Sequence, residues 1–157
     1  MRTLAVDGAK DQPMIARRML PSDVAAVLAI LHESPEASLW TEASLKEVAS
    51  KEGAWVAALD ERVVGFLAGR AASDEFEILN LAVAPSYRQR GAGTGLVNAA
   101  LAWFHTAGAT TAFLEVRASN SAAIAFYKRL GFKFSGRRPK YYQFPEEDAV
   151  LMRRDKF

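Results

Sequence analysis

The chain has 157 residues and a mass of 17.2 kDa, room for one domain able to bury roughly 70% of its unfolded surface without staples. It has no cysteine and two histidines, His32 and His105, which excludes disulfide scaffolds, thiolate nucleophiles, cysteine-containing zinc sites and iron–sulfur clusters. The net charge is only +2, and the pairs Arg17/Arg18, Arg88/Arg90, Arg137/Arg138 and Arg153/Arg154 are scattered along the chain, so neither a nucleic-acid face nor, with no apolar run near the roughly 20 residues of a span, a membrane segment is expected.

Residues 1–12 have weak periodicity and read as a flexible leader, too polar for a signal peptide. Residues 13–157 then read as a single domain. Met14–Met19 is consistent with a short strand. Val24, Val27, Leu28 and Leu31 recur with the period of a helix face, with Ser22 or Asp23 as its cap and Pro35 as its stop. A second helix starts at Thr41 and turns Leu45 and Val48 inward, with Trp40 and Leu45 spaced as a hydrophobic staple. Ala54–Leu59 and Arg62–Arg70 flank Asp60-Glu61, a hairpin signal. Asp74–Val83 is a third strand whose near-continuous apolar stretch from Ile78 predicts burial on both faces. Gly91–Thr106 is a helix stopped by Gly108, Thr111–Arg117 a strand, and Ser121–Leu130 a helix stopped by Gly131. Phe132–Arg137 and Ala149–Arg153 pair through a turn at Pro145-Glu146-Glu147-Asp148. The pattern predicts a mixed α/β domain with six or seven strands and about four helices.

Chemistry concentrates in two places. Tyr87-Arg88-Gln89-Arg90-Gly91-Ala92-Gly93-Thr94-Gly95 joins a strand to a helix, where glycines admit close backbone approach and outward amides bind phosphate, Arg88 and Arg90 adding charge. A tight turn that binds nothing is the alternative. A Rossmann fingerprint fits poorly, because the third glycine comes one place early, and the P-loop tripeptide is absent. Further on, Glu115 lies near a strand end, Asn120 begins a helix and Tyr127 lies on it. Each has an ordinary alternative: a paired surface carboxylate, a helix cap and a core phenol. His32 and His105 have no neighbouring ligand candidates, and no metal site is expected.

Arg88-Gln89-Arg90-Gly91-Ala92-Gly93, preceded by Leu81-Ala82-Val83-Ala84-Pro85, resembles the acetyl-CoA loop of the GNAT N-acetyltransferases. Leu114 through Asn120, then Ala123-Ile124-Ala125-Phe126-Tyr127 and Leu130-Gly131-Phe132, is similar to the bacterial ribosomal-protein-alanine N-acetyltransferases. Arg138, Tyr141-Tyr142 and Glu147-Asp148-Ala149 fit the C-terminal hairpin of that group, and Trp40-Thr41-Glu42 its N-terminal helical region. The similarity runs from about Ile15 to Met152. Ala84 departs from it where relatives often carry Asp, and Thr94 where a basic or small residue is common.

The resemblance implies the GNAT fold and acetyl transfer from acetyl-CoA to the N-terminal α-amine of a protein, an alanine-starting ribosomal protein among the expected partners. It implies Glu115 as general base and Tyr127 as general acid toward sulfur. Cofactor contacts fall on Leu81, Ala82 and Val83, on Arg88, Gln89, Arg90, Gly91, Ala92, Gly93 and Thr94, and on Asn120 and Tyr127. An α-amine with a pKa of about 7.7–8.0 must lose its proton to attack, and a chain without cysteine fits direct attack in a ternary complex. Glu75 and Glu77 are rival bases on the earlier strand. A small-molecule amine acceptor, a non-catalytic CoA-binding module and a purely structural interaction domain are the other readings. Glu146, Glu147 and Asp148 at the hairpin tip read as an exposed acidic turn, with attraction of a basic peptide as the alternative. Absence of cysteine agrees with a cytoplasmic protein.

Overall fold

The computed structural model describes residues 14–51 and 53–157, so the expected leader lies outside the described residues. Its strands are β1 (Met14–Arg18), β2 (Ala54–Leu59), β3 (Arg62–Ala72), β4 (Glu75–Val83), β5 (Thr111–Arg117), β6 (Lys133–Tyr142) and β7 (Glu147–Asp155). The α-helices are α1 (Val24–His32), α2 (Glu42–Ser50), α3 (Ala92–Thr106) and α4 (Ser121–Arg129). Seven strands in one mixed sheet, in the order β1-β2-β3-β4-β5-β7-β6, meet the upper of the two expected counts. The chain divides into two compact units: residues up to Ala68 with Asn80–Ala100, and Gly69–Leu79 with Leu101–Phe157.

In the first unit, α1 and α2 cover strands β2 and β3. Val24, Val27, Ile30 and Leu31 of α1 and Leu45 and Ala49 of α2 are buried with Val56, Phe66 and Ala82, the burial that drives an amphipathic helix onto a sheet. Trp40 meets the Phe66 ring edge-on with centroids 6.0 Å apart. Thr41 caps α2, its hydroxyl oxygen accepting from the Ser44 amide at 3.1 Å. The expected cap of α1 works differently. Asp23 points backward, accepting from the Leu20 amide at 2.8 Å and from Arg17, because a 3-10 turn at Pro21–Asp23 precedes the helix. The Asp60-Glu61 hairpin forms as expected, with Asp60 in left-handed backbone (φ 55).

In the second unit, β4 and β5 pair in parallel from Glu75↔Thr111 to Ile78↔Leu114, and β7 pairs antiparallel with both β5 and β6. Phe76 stacks on Phe104 at 4.0 Å, and Leu114, Tyr127, Phe132 and Met152 are buried. Gly131 stops α4 in left-handed backbone (φ +89), as its sequence position predicts. The final hairpin is longer than expected: Glu147 and Asp148 belong to β7 rather than to the turn.

Candidate active site

Burial along β4 alternates. Asn80 and Ala82 are buried, whereas Leu81 and Val83 are half-exposed. The expectation of a strand buried on both faces is therefore corrected: one face of β4 is half-buried, with Glu75 and Glu77 toward its start and Leu81 and Val83 toward its end. The Ala82 side chain is 4% exposed within the first unit's core, so its contribution to a ligand is restricted to the main chain.

After β4, Gln89 (φ 61) and Gly91 (φ +88) take left-handed backbone that aims the chain into α3. Ala92, Gly93 and Thr94 are the first residues of that helix. Their amides have no acceptor inside it and sit at its positive end, a ready anion cradle. Of the two arginines expected to add charge, Arg88 is already paired with a carboxylate. Arg88 donates from Nε to the Val83 carbonyl at 3.1 Å and from Nη2 to Glu36 at 2.6 Å. Arg90 lies over the Tyr87 ring at 5.4 Å, and the Tyr87 hydroxyl accepts from Arg62 at 3.0 Å. Glu36, 52 residues before Arg88, carried no signal in the sequence.

The second unit holds the candidate acid and base. Glu115, with its side chain 13% exposed, meets Arg138 Nε at 3.2 Å. The Tyr141 phenol is hydrogen-bonded to the Glu115 carboxylate, which raises its pKa; burial and the negative charges of Glu115 and Glu77 add to the rise, and Arg138 opposes it. Burial, followed by the charge of Glu115, pushes Tyr142 up to about 12. Tyr127 is buried between the rings of Phe126 and Phe132, and that burial pushes its phenol well above its ordinary value, holding it protonated as a donor. Asn120 caps α4, its Oδ1 accepting from the Ala123 amide at 3.1 Å.

The rival base Glu77 is more firmly occupied, taking both Nε (3.0 Å) and Nη2 (2.8 Å) of Arg70. Glu75 faces Arg153 at 3.2 Å. Two of the three acidic hairpin residues are already paired. Glu147 accepts from Arg117 at 3.2 Å and from the Ser119 amide at 2.6 Å, and Asp148 from Arg137 and the Lys140 amide, both at 2.9 Å. That leaves only Glu146 of the three in the turn. His32 and His105 are exposed on helices. Among the described residues no group of three or more acidic or histidine side chains could hold a metal ion, and no helix is long and apolar enough to cross a membrane.

Known proteins resemble the chain in both sequence and fold. The bS18-alanine N-acetyltransferase of Salmonella typhimurium is 40% identical over 95 residues, 59% of this chain and 64% of that protein, so the match spans less than two thirds of the relative's length. The crystal structure of the corresponding Escherichia coli enzyme superposes with a TM-score of 0.78 at 29% identity, covering 92% of this chain and 94% of that one. That of Ard1 from Thermoplasma volcanium gives 0.84 at 30% identity over 92% and 98%. Residues 24–132 match the acetyltransferase (GNAT) family model. That span takes in β4, the amide cradle, Glu115, Asn120 and Tyr127, and the chain belongs to the GNAT acetyltransferase family.

Proposed function

We propose that residues 13–157 act as one acetyltransferase domain that moves the acetyl group of acetyl-CoA to the N-terminal α-amine of a protein, an alanine-starting ribosomal protein being the favoured acceptor. The observation that carries the reading is Glu115: a carboxylate set into the half-open side of β5, held in place by Arg138 and Tyr141, inside the span that matches the family. The 40% identity to an enzyme named for ribosomal-protein alanine supports the acceptor class.

In this mechanism the amides of Ala92, Gly93 and Thr94 hold the pyrophosphate, with Gln89 and Gly91 setting the turn and Arg88 and Arg90 bracing it. Leu81 and Val83 offer half-exposed apolar surface and strand amides to the pantetheine arm, and the Asn120 Nδ2 a further contact. Glu115 takes the ammonium proton, directly or through one water, and the neutral nitrogen attacks the thioester carbonyl carbon. The C–N bond forms and the C–S bond breaks, the departing sulfur takes a proton from Tyr127, and the second proton that the attacking nitrogen must lose passes through water to restore the Tyr127 phenol. The products are an N-acetylated protein and CoA.

The test is CoA release over a panel of N-terminal peptides and small amines, with pH–rate profiles for Glu115→Gln, Glu77→Gln and Tyr127→Phe. Turnover on an alanine-starting peptide that collapses in Glu115→Gln and survives in Glu77→Gln is the expected result. Normal turnover in Glu115→Gln with loss in Glu77→Gln removes Glu115 as the base, and preference for small amines removes the protein acceptor.

A further inference from the structure

Three carboxylates line the half-open side of the second unit, and each faces an arginine: Glu75 with Arg153, Glu77 with Arg70 and Glu115 with Arg138. The arginines differ in how firmly they are held. Arg70 reaches Glu77 through two nitrogens, and Arg153 is shared between Glu75 and Asp155. Arg117 donates to Glu147 and to the carbonyls of Gln143 and Pro145. Among the described residues Arg138 pairs with Glu115, its Nε 3.2 Å from the carboxylate, and stacks loosely on Tyr141 at 5.9 Å. Its side chain is 56% exposed against 13% for Glu115.

This asymmetry has a physical consequence. A carboxylate shielded from water is costly to leave without a counter-charge, whereas a half-exposed guanidinium on a long stem can swing into solvent at little cost. A bulge follows Arg138: the five residues of β6 from Arg138 to Tyr142 face only the three of β7 from Ala149 to Glu147, and such a bulge re-aims side chains that strict alternation would send to opposite faces. The other groups facing Glu115 are Tyr141 and Tyr142, with Glu77 acting on the same Tyr141 and Arg117 on Tyr142. Arg117 is committed to Glu147.

We propose that Arg138 is a placeholder cation: it neutralises Glu115 until the acceptor's α-ammonium arrives, and acceptor binding exchanges the one cation for the other. The inference rests on Glu115 as the acceptor's base. It makes Arg138 a positioning residue that sets acceptor affinity by competition, and it favours acceptors whose ammonium is unhindered enough to displace a guanidinium.

The test is steady-state kinetics of Arg138→Gln, Arg138→Met and Arg138→Lys with an alanine-starting peptide, alongside Glu115→Gln. Loss of the competitor lowers the acceptor KM by roughly two- to fivefold, the range of a half-exposed ion pair, in both Arg138→Gln and Arg138→Met, whose stem still covers Tyr141. The Kd for acetyl-CoA stays unchanged, and Arg138→Lys keeps the original KM. Methylguanidinium chloride added to Arg138→Gln raises KM again, competitively with the peptide, where matched sodium chloride does not. An acceptor KM that stays level or rises in both neutral variants overturns the placeholder, as does methylguanidinium that restores kcat instead of raising KM. If either result comes with an inactive Glu115→Gln, the placeholder alone falls. Full turnover in Glu115→Gln overturns the base assignment and the placeholder with it.

Discussion

Asn80 brackets the backbone of Ser38, donating from Nδ2 to its carbonyl at 2.8 Å and accepting from its amide at 3.3 Å. Asn80 is 6% exposed in the middle of β4, so the pair pins the connection between α1 and α2 to the strand that carries Leu81 and Val83. Asn80→Ala loses both bonds and is expected to cost about 1–2 kcal/mol, near 1 for each. Asn80→Asp is expected to cost more, because it keeps an acceptor for the Ser38 amide but turns a buried carboxylate toward the Ser38 carbonyl. Urea unfolding gives the order, and faster hydrogen exchange at Ser38 in Asn80→Ala locates the loss.

The engagement of Arg88 with Glu36 and the Val83 carbonyl leads to a second expectation. If the main chain makes the anion cradle, Arg88→Gln weakens acetyl-CoA binding by no more than about threefold, the worth of a half-exposed ion pair. Gly91→Val acts on the backbone instead. Space is open where its Cβ would stand, but φ is +88, a conformation that costs a β-branched residue about 1–2 kcal/mol. Calorimetric titration with acetyl-CoA should therefore rank Gly91→Val as the more damaging change. A large loss in Arg88→Gln alone would put the phosphate on the guanidinium.

Local punctuation and periodicity made most elements readable. Asp60-Glu61 and Gly131 each mark a turn or stop through backbone conformations that their neighbours cannot share, and Thr41 caps its helix with its own side chain. The site was legible where residues sit close in sequence, as in the cradle from Arg88 to Thr94. It was not legible where distant residues meet. Glu36 engages Arg88 across a loop, and a bulge that no local pattern announces brings Arg138 and Tyr141 together on Glu115. The open side of β4 misled the reading for a related reason: Leu81 and Val83 are apolar whether the surface they offer is for core or for ligand. The pairings of the acidic hairpin were hidden too, because Arg117, Arg137 and two backbone amides meet Glu147 and Asp148 only through the fold.

Asp23 makes stability depend on pH. Burial alone would raise its pKa, but the hydrogen bond from Arg17, the Leu20 amide and the charge of Arg17 together bring it below the ordinary value of 3.8. A carboxyl whose folded pKa is depressed contributes stability that is complete above the unfolded value and is lost as pH falls through the folded one. Asp23→Asn is expected to cost about 1–3 kcal/mol at neutral pH. The gap in Tm between the two proteins should hold steady down to about pH 4 and close below it. A gap unchanged at pH 2 would mean that shape rather than charge holds this corner.

Gly69 is fixed by space. A Cβ there would lie 2.6 Å from Phe76 Cζ and 2.9 Å from the Glu77 carbonyl oxygen. The Phe76 ring cannot yield easily, because it is fully buried and stacked on Phe104 at 4.0 Å, and a carbonyl oxygen moves only with its strand. Gly69→Ala is therefore expected to destabilise by about 1–3 kcal/mol through overpacking. Gly136→Ala, with nothing within 4 Å of its would-be Cβ, should fall within about 0.5 kcal/mol of the parent. Adding Phe76→Leu to Gly69→Ala removes the outer ring atoms, so the double variant should be more stable than the sum of its single costs predicts. Equilibrium unfolding of the four proteins measures that coupling, and strict additivity would show that the Glu77 carbonyl, not the Phe76 ring, is the obstacle.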